Sequence, residues 1–502
     1  MDLYKILEDN DLIPLLSKVD YTQPEFSTFD RVREFLTDII DNDRKTLIVG
    51  DYDVDGLMCA LGVYDSLTAL KCTNVKIFNY VKRTHLLDAN AVTEAIRGHY
   101  EYCIVCDCGS HDLGLLKKLV QYGVKVVLLD HHQTIYSYEE YEAIGNIAVI
   151  NTTLEPVEYC LSAGALCYCV FSKIFEEYAT DEGGISAYGC VSLFSDCMNM
   201  RNELNRAIYY RAVSLPSSVI PKNLTLFMNE YSKFNSRYIS WWFSPRINAM
   251  FRSENLQVLN NLFLKKNVSV TVLSECINEI NEKYETVRDM CEKVTDVLEV
   301  EELDNFVIAD VYSASLFYNV EENFLWNYTG VIANRLSERY NKTAFVYCRT
   351  GNNVKGSVRD LYGREYLPIF SQIGEAAGHA AAFATTVSIL DLQEYLIKIQ
   401  QINDKYALTD INNQPVIIDY PYTEPDVGFI EDVATINEFT GVGVPSVIIR
   451  KQRIGAIKET KTKYGYTYIW GDYRMNSKYA KSFGSYMMLR PYRAANTKIQ
   501  VQ

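Results

Sequence analysis

The stretch Thr46-Leu-Ile-Val-Gly-Asp51-Tyr-Asp53-Val-Asp55-Gly56 decides the fold. A short apolar run of β type, Thr46 to Val49, breaks at Gly50 and delivers three alternate acids, after which Leu57 to Leu70 reads as a helix. Carboxylates at the carboxyl end of a buried parallel strand sit where α/β sheets open to ligands. Crowded together, Asp51, Asp53 and Asp55 repel one another unless a divalent cation neutralises them.

Three other readings share these letters. The opening D-x-D-x-D-G begins like an EF-hand loop, but Gly62 stands where that loop needs its bidentate Glu. A haloacid-dehalogenase-like phosphatase also sets D-x-D after a strand. A solvated acidic turn is the plain structural alternative, and the stretch alone does not separate it from a metal site.

Working outward, the chain alternates. Val75 to Val81 reads as a strand, Ala89 to Gly98 as a helix, Tyr102 to Cys106 as a strand, and Leu113 to Tyr122 as a helix. Val124 to Leu129 and Ala148 to Ile150 read as further strands. Such alternation predicts a doubly wound parallel sheet. The strand ends carry chemistry: Asp107-Cys-Gly109-Ser-His111-Asp112 follows Cys106, and Asp130-His131-His132 follows Leu129. Ser192-Leu-Phe-Ser-Asp196 again ends an apolar run in an acid. With only six His in the chain, a pair at an acid-rich end reads as a ligand set, because imidazole with carboxylate suits manganese-type ions.

Composition limits the rest. At 502 residues with 48% hydrophobic content, the chain predicts about three domains with large cores. No apolar run reaches a membrane span and no basic leader opens the sequence, which predicts a cytoplasmic protein. Thirteen scattered Cys read as small core hydrophobes. Cys106 and Cys108 lack a second pair to complete a zinc site. A net charge of −15 counts against non-specific coating of duplex DNA but leaves room for a local basic groove.

Asp51-Tyr-Asp-Val-Asp-Gly56, Asp107-Cys-Gly109, Asp130-His-His132 and Asp196, in that order, resemble the four motifs of the DHH phosphoesterases. The dehalogenase reading does not account for the His pair and drops out. Within the superfamily the chain is similar to the RecJ single-strand-specific exonucleases. Tyr80-Val-Lys-Arg83, Ser162-Ala-Gly164 and Asn205-Arg206 support this, and Pro245-Arg246-Ile-Asn248-Ala-Met-Phe-Arg252 matches P-R-I-N-A-x-G-R except for Phe251. Lys355-Gly356-Ser357-Val-Arg359 and Gly378-His379 resemble motifs of the DHH-associated domain, with Ala377 in place of a Gly.

The resemblance implies a DHH catalytic domain over residues 1–235, and a substrate-wall segment and connecting helix over 236–302. A second α/β domain, the DHH-associated domain, would cover 303–400, and an OB-like nucleic-acid-binding barrel 401–502. The helix is also legible directly, since Leu273, Ile280, Val287 and Val294 recur every seven residues; over so few turns a connecting helix is preferred to a coiled coil. Short β-type runs at Val416, Ser446 and Gly465 to Trp470 suit a small barrel. The basic and aromatic residues from Lys451 to Trp470 suit a single-strand groove or, equally, a solvated hairpin face.

By the same resemblance, Asp53, Asp55, Asp107, His131 and Asp196 would hold two ions, Mn²⁺ or Mg²⁺. Asp51 would ligate an ion or orient a ligand, Asp130 would hold an imidazole, and His132 would face the scissile phosphate and assist the leaving oxygen. Arg83, Arg246, Ser357 and Arg359 would hold a 5′ phosphate, with Asn248, Arg252 and His379 completing the wall. The implied activity is metal-dependent 5′→3′ hydrolysis of single-stranded DNA in repair, recombination or replication, with a single-strand-binding protein or helicase as a partner. The other readings are a DHH phosphodiesterase of short oligonucleotides or cyclic dinucleotides, and a non-catalytic RecJ-like scaffold.

Overall fold

Apolar runs buried on both faces need a sheet covered on two sides, and the first domain is built this way. In the computed structural model, Thr46–Gly50 (β1), Val75–Ile77 (β2), Tyr102–Cys106 (β3), Lys125–Asp130 (β4) and Ile147–Asn151 (β5) form one sheet. Its order is β2-β1-β3-β4-β5 and every pairing is parallel. The structure describes residues 3–501 except 82–85, 158, 229–232, 266–267, 313, 315–324, 341, 361–363, 365, 380–381, 406–414, 423, 442, 453–457, 463–464, 471–472, 478–485 and 494–498.

Side-chain alternation divides the sheet between two cores. Ile48, Ile104, Val127 and Ile150 face the helices Phe29–Asp41, Val54–Ala69, Ala163–Glu177 and Ile185–Ser195. Leu47, Val105, Leu128 and Val149 face Ala89–Arg97 and Leu113–Gln121. The strand order reverses between β1 and β3, the place where such sheets open a crevice at their carboxyl ends. Asp196, read as ending an apolar run like the strand ends, instead caps the carboxyl end of the Ile185–Ser195 helix. The run before it is buried all round, which hides its period.

The connecting helix spans Val270–Val297 and buries Ile280, Val287 and Val294 on one stripe. Ile280 belongs to the first domain's core, while Val287 and Val294 belong to the next. The second domain is a six-stranded sheet of order β10-β11-β9-β8-β7-β6: Glu375–His379 (β10), Ala382–Ser388 (β11), Asn353–Arg359 (β9), Thr343–Thr350 (β8), Phe306–Asp310 (β7) and Val300–Glu302 (β6). The Thr329–Tyr340 helix packs on its β8 and β9 strands. The Ala376–Ala384 segment, whose small residues also suit a packing helix, contributes strands β10 and β11 instead.

The C-terminal region departs from expectation. Among the described residues its strands fall into three separate sheets, not a closed barrel. Val416–Tyr420 (β12) pairs parallel with Val447–Gln452 (β13) across the Val427–Glu438 helix, a crossover unit that the Gly-rich turns did not announce. This unit shares the first domain's core: Ile418, Phe429 and Val433 join Leu3, Leu7 and Leu12. The Tyr4 hydroxyl donates to Asp432 at 2.8 Å and its ring meets Phe429 edge-on. No helix among the described residues is long and apolar enough to cross a membrane.

Phe429→Ala should therefore destabilise the first domain and not only the C-terminal unit. In urea titration the loss should be about 3–5 kcal/mol, with a single shared transition.

Candidate metal centre and adjoining arginine cleft

Three strand ends and one helix end meet where β1 and β3 part. Asp51 follows β1, and Asp53 caps the Val54–Ala69 helix by accepting the Gly56 N–H at 3.0 Å. A Cβ on Gly56 would stand 2.3 Å from the Asp51 nitrogen, and one on Gly50 would stand 2.2 Å from the Gly56 carbonyl oxygen. Only glycine allows the strand end and the helix start this contact.

Asp55 lies buried in the first turn of that helix. Its carboxylate accepts the N–H groups of Ala163 at 3.0 Å and Gly164 at 2.9 Å, and the hydroxyl of Ser192. Those amides open the Ala163–Glu177 helix, whose positive end favours an anion. Burial, then the charges of Asp196 and Asp53, still raise the Asp55 carboxyl to about 7.

Asp107 follows β3 in the left-handed region, φ 62°, which Asp tolerates better than most residues. Its carboxyl is pushed well above the usual range by burial and then by Asp55, Asp53 and Asp51. Its buried Oδ1 accepts no hydrogen bond among the described residues. His131 Nε2 stands 3.2 Å from that oxygen, 3.6 Å from Asp55 Oδ2 and 3.6 Å from Asp196 Oδ2. One ring nitrogen carries at most one proton and cannot serve three carboxylates. A shared cation would satisfy all of them.

Asp130 accepts the backbone N–H groups of His131 at 2.7 Å and His132 at 3.2 Å, and lies 2.8 Å from His132 Nδ1. Burial works to raise its carboxyl, but the neighbouring imidazoles, His132 first, hold it well below the usual range. Burial likewise works to lower the His132 imidazole, but Asp130 outweighs it and raises the group to about 10. Asn151, at the end of β5, fixes the same loop by donating to the His132 carbonyl at 2.9 Å.

The ligand atoms fall into three groups, each within 4.8 Å: Asp51, Asp53 and Asp107; Asp55, His131 and Asp196; and Asp107, His131 and His132. Each group could hold a metal ion, and Asp107 and His131 each enter two. The five residues expected as ligands thus lie together, beside Asp51, Asp130 and His132. Ser192 and Asn151 were not singled out as site residues. Ser192 stands one helical turn before Asp196, and Asn151 stands at a strand end like the others, so position alone was the available signal.

A second set of side chains approaches this cluster, Arg252 from before the connecting helix and Arg359 from after it. Arg252 ends the Ser244–Arg252 helix; burial lowers its guanidinium, and Tyr328, Cys291 and Asp53 are near enough to act on its charge. Arg359 ends β9, and burial followed by repulsion from Arg252 lowers it to about 10. Neither forms an ion pair among the described residues. A Cβ on Gly330 would stand 2.6 Å from Arg359 Nη2, and Ser357 Oγ meets Thr329 Oγ1 at 2.8 Å. Two like charges beside an acid cluster make a socket for a bridging anion.

The remaining expected residues are placed differently. Arg246 is committed elsewhere: Nε donates to Asn281 Oδ1 at 2.8 Å and Nη1 to the Trp242 carbonyl at 3.0 Å. Asn248 is half-buried on the same helix. Arg83 and the side chain of His379 lie outside the described residues.

Residues 45–189 match the DHH family, N-terminal domain. RecJ from Thermus thermophilus, solved in complex with Mn²⁺, aligns over the whole of this chain and 76% of its own, with 15% identity and a TM-score of 0.74. The same protein with Mg²⁺ gives 14% identity, coverage of 100% and 75%, and a TM-score of 0.68. An exonuclease RecJ bound to manganese covers 77% of this chain and 96% of its own, at 15% identity and a TM-score of 0.56. At such identities the likeness is one of fold. No curated protein sequence matches the chain.

The raised carboxyls fix a sign. Asp55 and Asp107 bind protons more tightly folded than unfolded, so the stability they allow is present at low pH and lost as pH rises above the ordinary carboxylate range, for Asp55 through about 7. Metal-free protein should therefore melt at lower temperature at about pH 8 than at about pH 5. The rise in Tm on adding Mn²⁺ should be larger at the higher pH, where protons no longer compete.

Proposed function

From a chain whose residues 45–189 form a DHH-family N-terminal domain within a RecJ-like fold, we propose a metal-dependent phosphodiesterase, specifically a 5′→3′ exonuclease of single-stranded DNA. The observation that carries this reading is the juxtaposition of the Asp107–His131 carboxylate cluster with the Arg252–Arg359 pair. One half suits divalent cations and the other suits the phosphate they would act on.

In this proposal Asp53, Asp55, Asp107, His131 and Asp196 would hold two ions, Mn²⁺ or Mg²⁺. Bound there, the ions would supply an acidified water and charge relief on the phosphoryl oxygens. Asp55 is fixed by Ala163, Gly164 and Ser192, so its orientation is set before substrate arrives. Asp130 orients the His132 ring through Nδ1 and favours its protonated form, so the imidazole would act as the proton donor to the leaving oxygen. Arg252, Arg359 and Ser357 grip the terminal phosphate. Single-strand preference and polarity rest on the likeness to RecJ exonucleases. Arg246 is withdrawn from the phosphate by its bonds to Asn281 and Trp242.

Purified protein with Mn²⁺ should shorten 5′-phosphorylated single-stranded DNA from that end, and Asp107→Ala should abolish the reaction. Arg359→Ala should raise KM about tenfold or more while sparing Mn²⁺ binding measured by calorimetry. Intact DNA alongside cleaved short oligoribonucleotides or cyclic dinucleotides would move the substrate assignment. Absence of both Mn²⁺ binding and hydrolysis would support a non-catalytic scaffold.

A further inference from the structure

The helical stretch leading into Arg252 carries two adjacent indoles, Trp241 and Trp242, that are 60% and 50% exposed. The other two tryptophans are treated differently. Trp470 is buried, and Trp326 lies half-buried beneath the Lys355 ammonium at 5.1 Å. Indoles left in water forgo the burial that stabilises them elsewhere, and two side by side mark a contact surface.

Local geometry presents them. Residues Ile239–Phe243 form a π-helical turn between Ser236–Tyr238 and Ser244–Arg252, a widening that recurs at functional sites. The Arg246 guanidinium stands 4.6 Å from the Trp242 ring centroid and 4.5 Å from that of Tyr284, with Nε held by Asn281. The Trp242 indole is thus braced on one side and open on the other. Beyond the turn, the residues that stay unburied are Pro245, Asn248 and Arg252, while Arg246, Ile247, Met250 and Phe251 are buried. With Trp241 they repeat at helical spacing and form one stripe, about 16 Å long at 1.5 Å per residue, ending at Arg252, within reach of the Asp53 charge.

We propose that Trp241 and Trp242 form a base-stacking subsite for single-stranded nucleic acid, reached along this stripe from the Arg252 phosphate socket. The inference rests on the phosphodiesterase reading and adds where the strand beyond the reacting end lies. Flat aromatic faces accept any base, and the braced indole loses little freedom on stacking. The stripe between is polar, with Asn248 and Arg252 upon it, which suits a phosphodiester backbone better than an apolar protein surface.

The test compares wild type with a Trp241→Ala/Trp242→Ala double variant. Binding of a 5′-phosphorylated oligothymidylate of about 20 nucleotides, followed by anisotropy in Ca²⁺, should weaken about tenfold or more, while kcat/KM for a 5′-phosphorylated dinucleotide in Mn²⁺ stays unchanged. A Trp241→Tyr/Trp242→Tyr variant should bind the long strand within about threefold of wild type, since stacking persists. Equal long-strand binding by wild type and the alanine variant would overturn the subsite, as would weakened long-strand binding in the tyrosine variant matching the alanine one. Failure of wild type to cleave the dinucleotide would instead count against the phosphodiesterase reading, because binding of the long strand is measured without turnover.

Discussion

Carboxylates at the carboxyl edge of the first sheet repel one another, and the fold holds them together nonetheless. Asp55 is the clearest case. Two helix-opening amides and a serine hydroxyl grip it, yet burial and then its acidic neighbours still drive its proton affinity up to about 7. Asp107, in a left-handed conformation and with a buried oxygen that accepts no hydrogen bond among the described residues, has less support and is likewise pushed well above the usual range by burial and then by its acidic neighbours. The pattern is that of a preformed cage whose residual repulsion is relieved by cations and not by further protein groups.

The same principle separates the two imidazoles. His131 is buried among three carboxylates, while His132 is drawn out by Asp130 and left partly accessible. Adjacent residues of one type thereby acquire different surroundings from a single acid placed before them. Asp130 orients the loop by accepting two of its amides, so the ring geometry follows from the backbone.

Much of the first domain was legible in the sequence because its signals are local. Alternating apolar strands and helices gave the parallel sheet, and Asp51, Asp107 and Asp130 announced themselves by standing at or just past the end of a strand. Asp196 was found as an acid but not as a helix cap, because a helix buried all round carries no period to read. Arg246 fits a recognisable motif, yet what it touches, Asn281 and Tyr284, lies on another helix that no local pattern ties to it. The C-terminal strands, which among the described residues form three sheets and do not establish the expected barrel, were hard to read for a related reason. Short β-type runs specify strands but not their partners, and the pairing of β12 with β13 across a helix depends on the first domain's exposed apolar surface.

That last pairing bears on how the molecule comes into being. Leu3, Leu7 and Leu12 share a core with Ile418, Phe429 and Val433, segments separated by some four hundred positions of chain. During vectorial synthesis the earliest leucines leave the ribosome long before the surface that covers them exists. Through that interval the nascent polypeptide displays a greasy flank, and the first domain reaches its final stability only when the last quarter docks. Chaperone demand during synthesis thus follows from a core shared by segments so far apart along the chain.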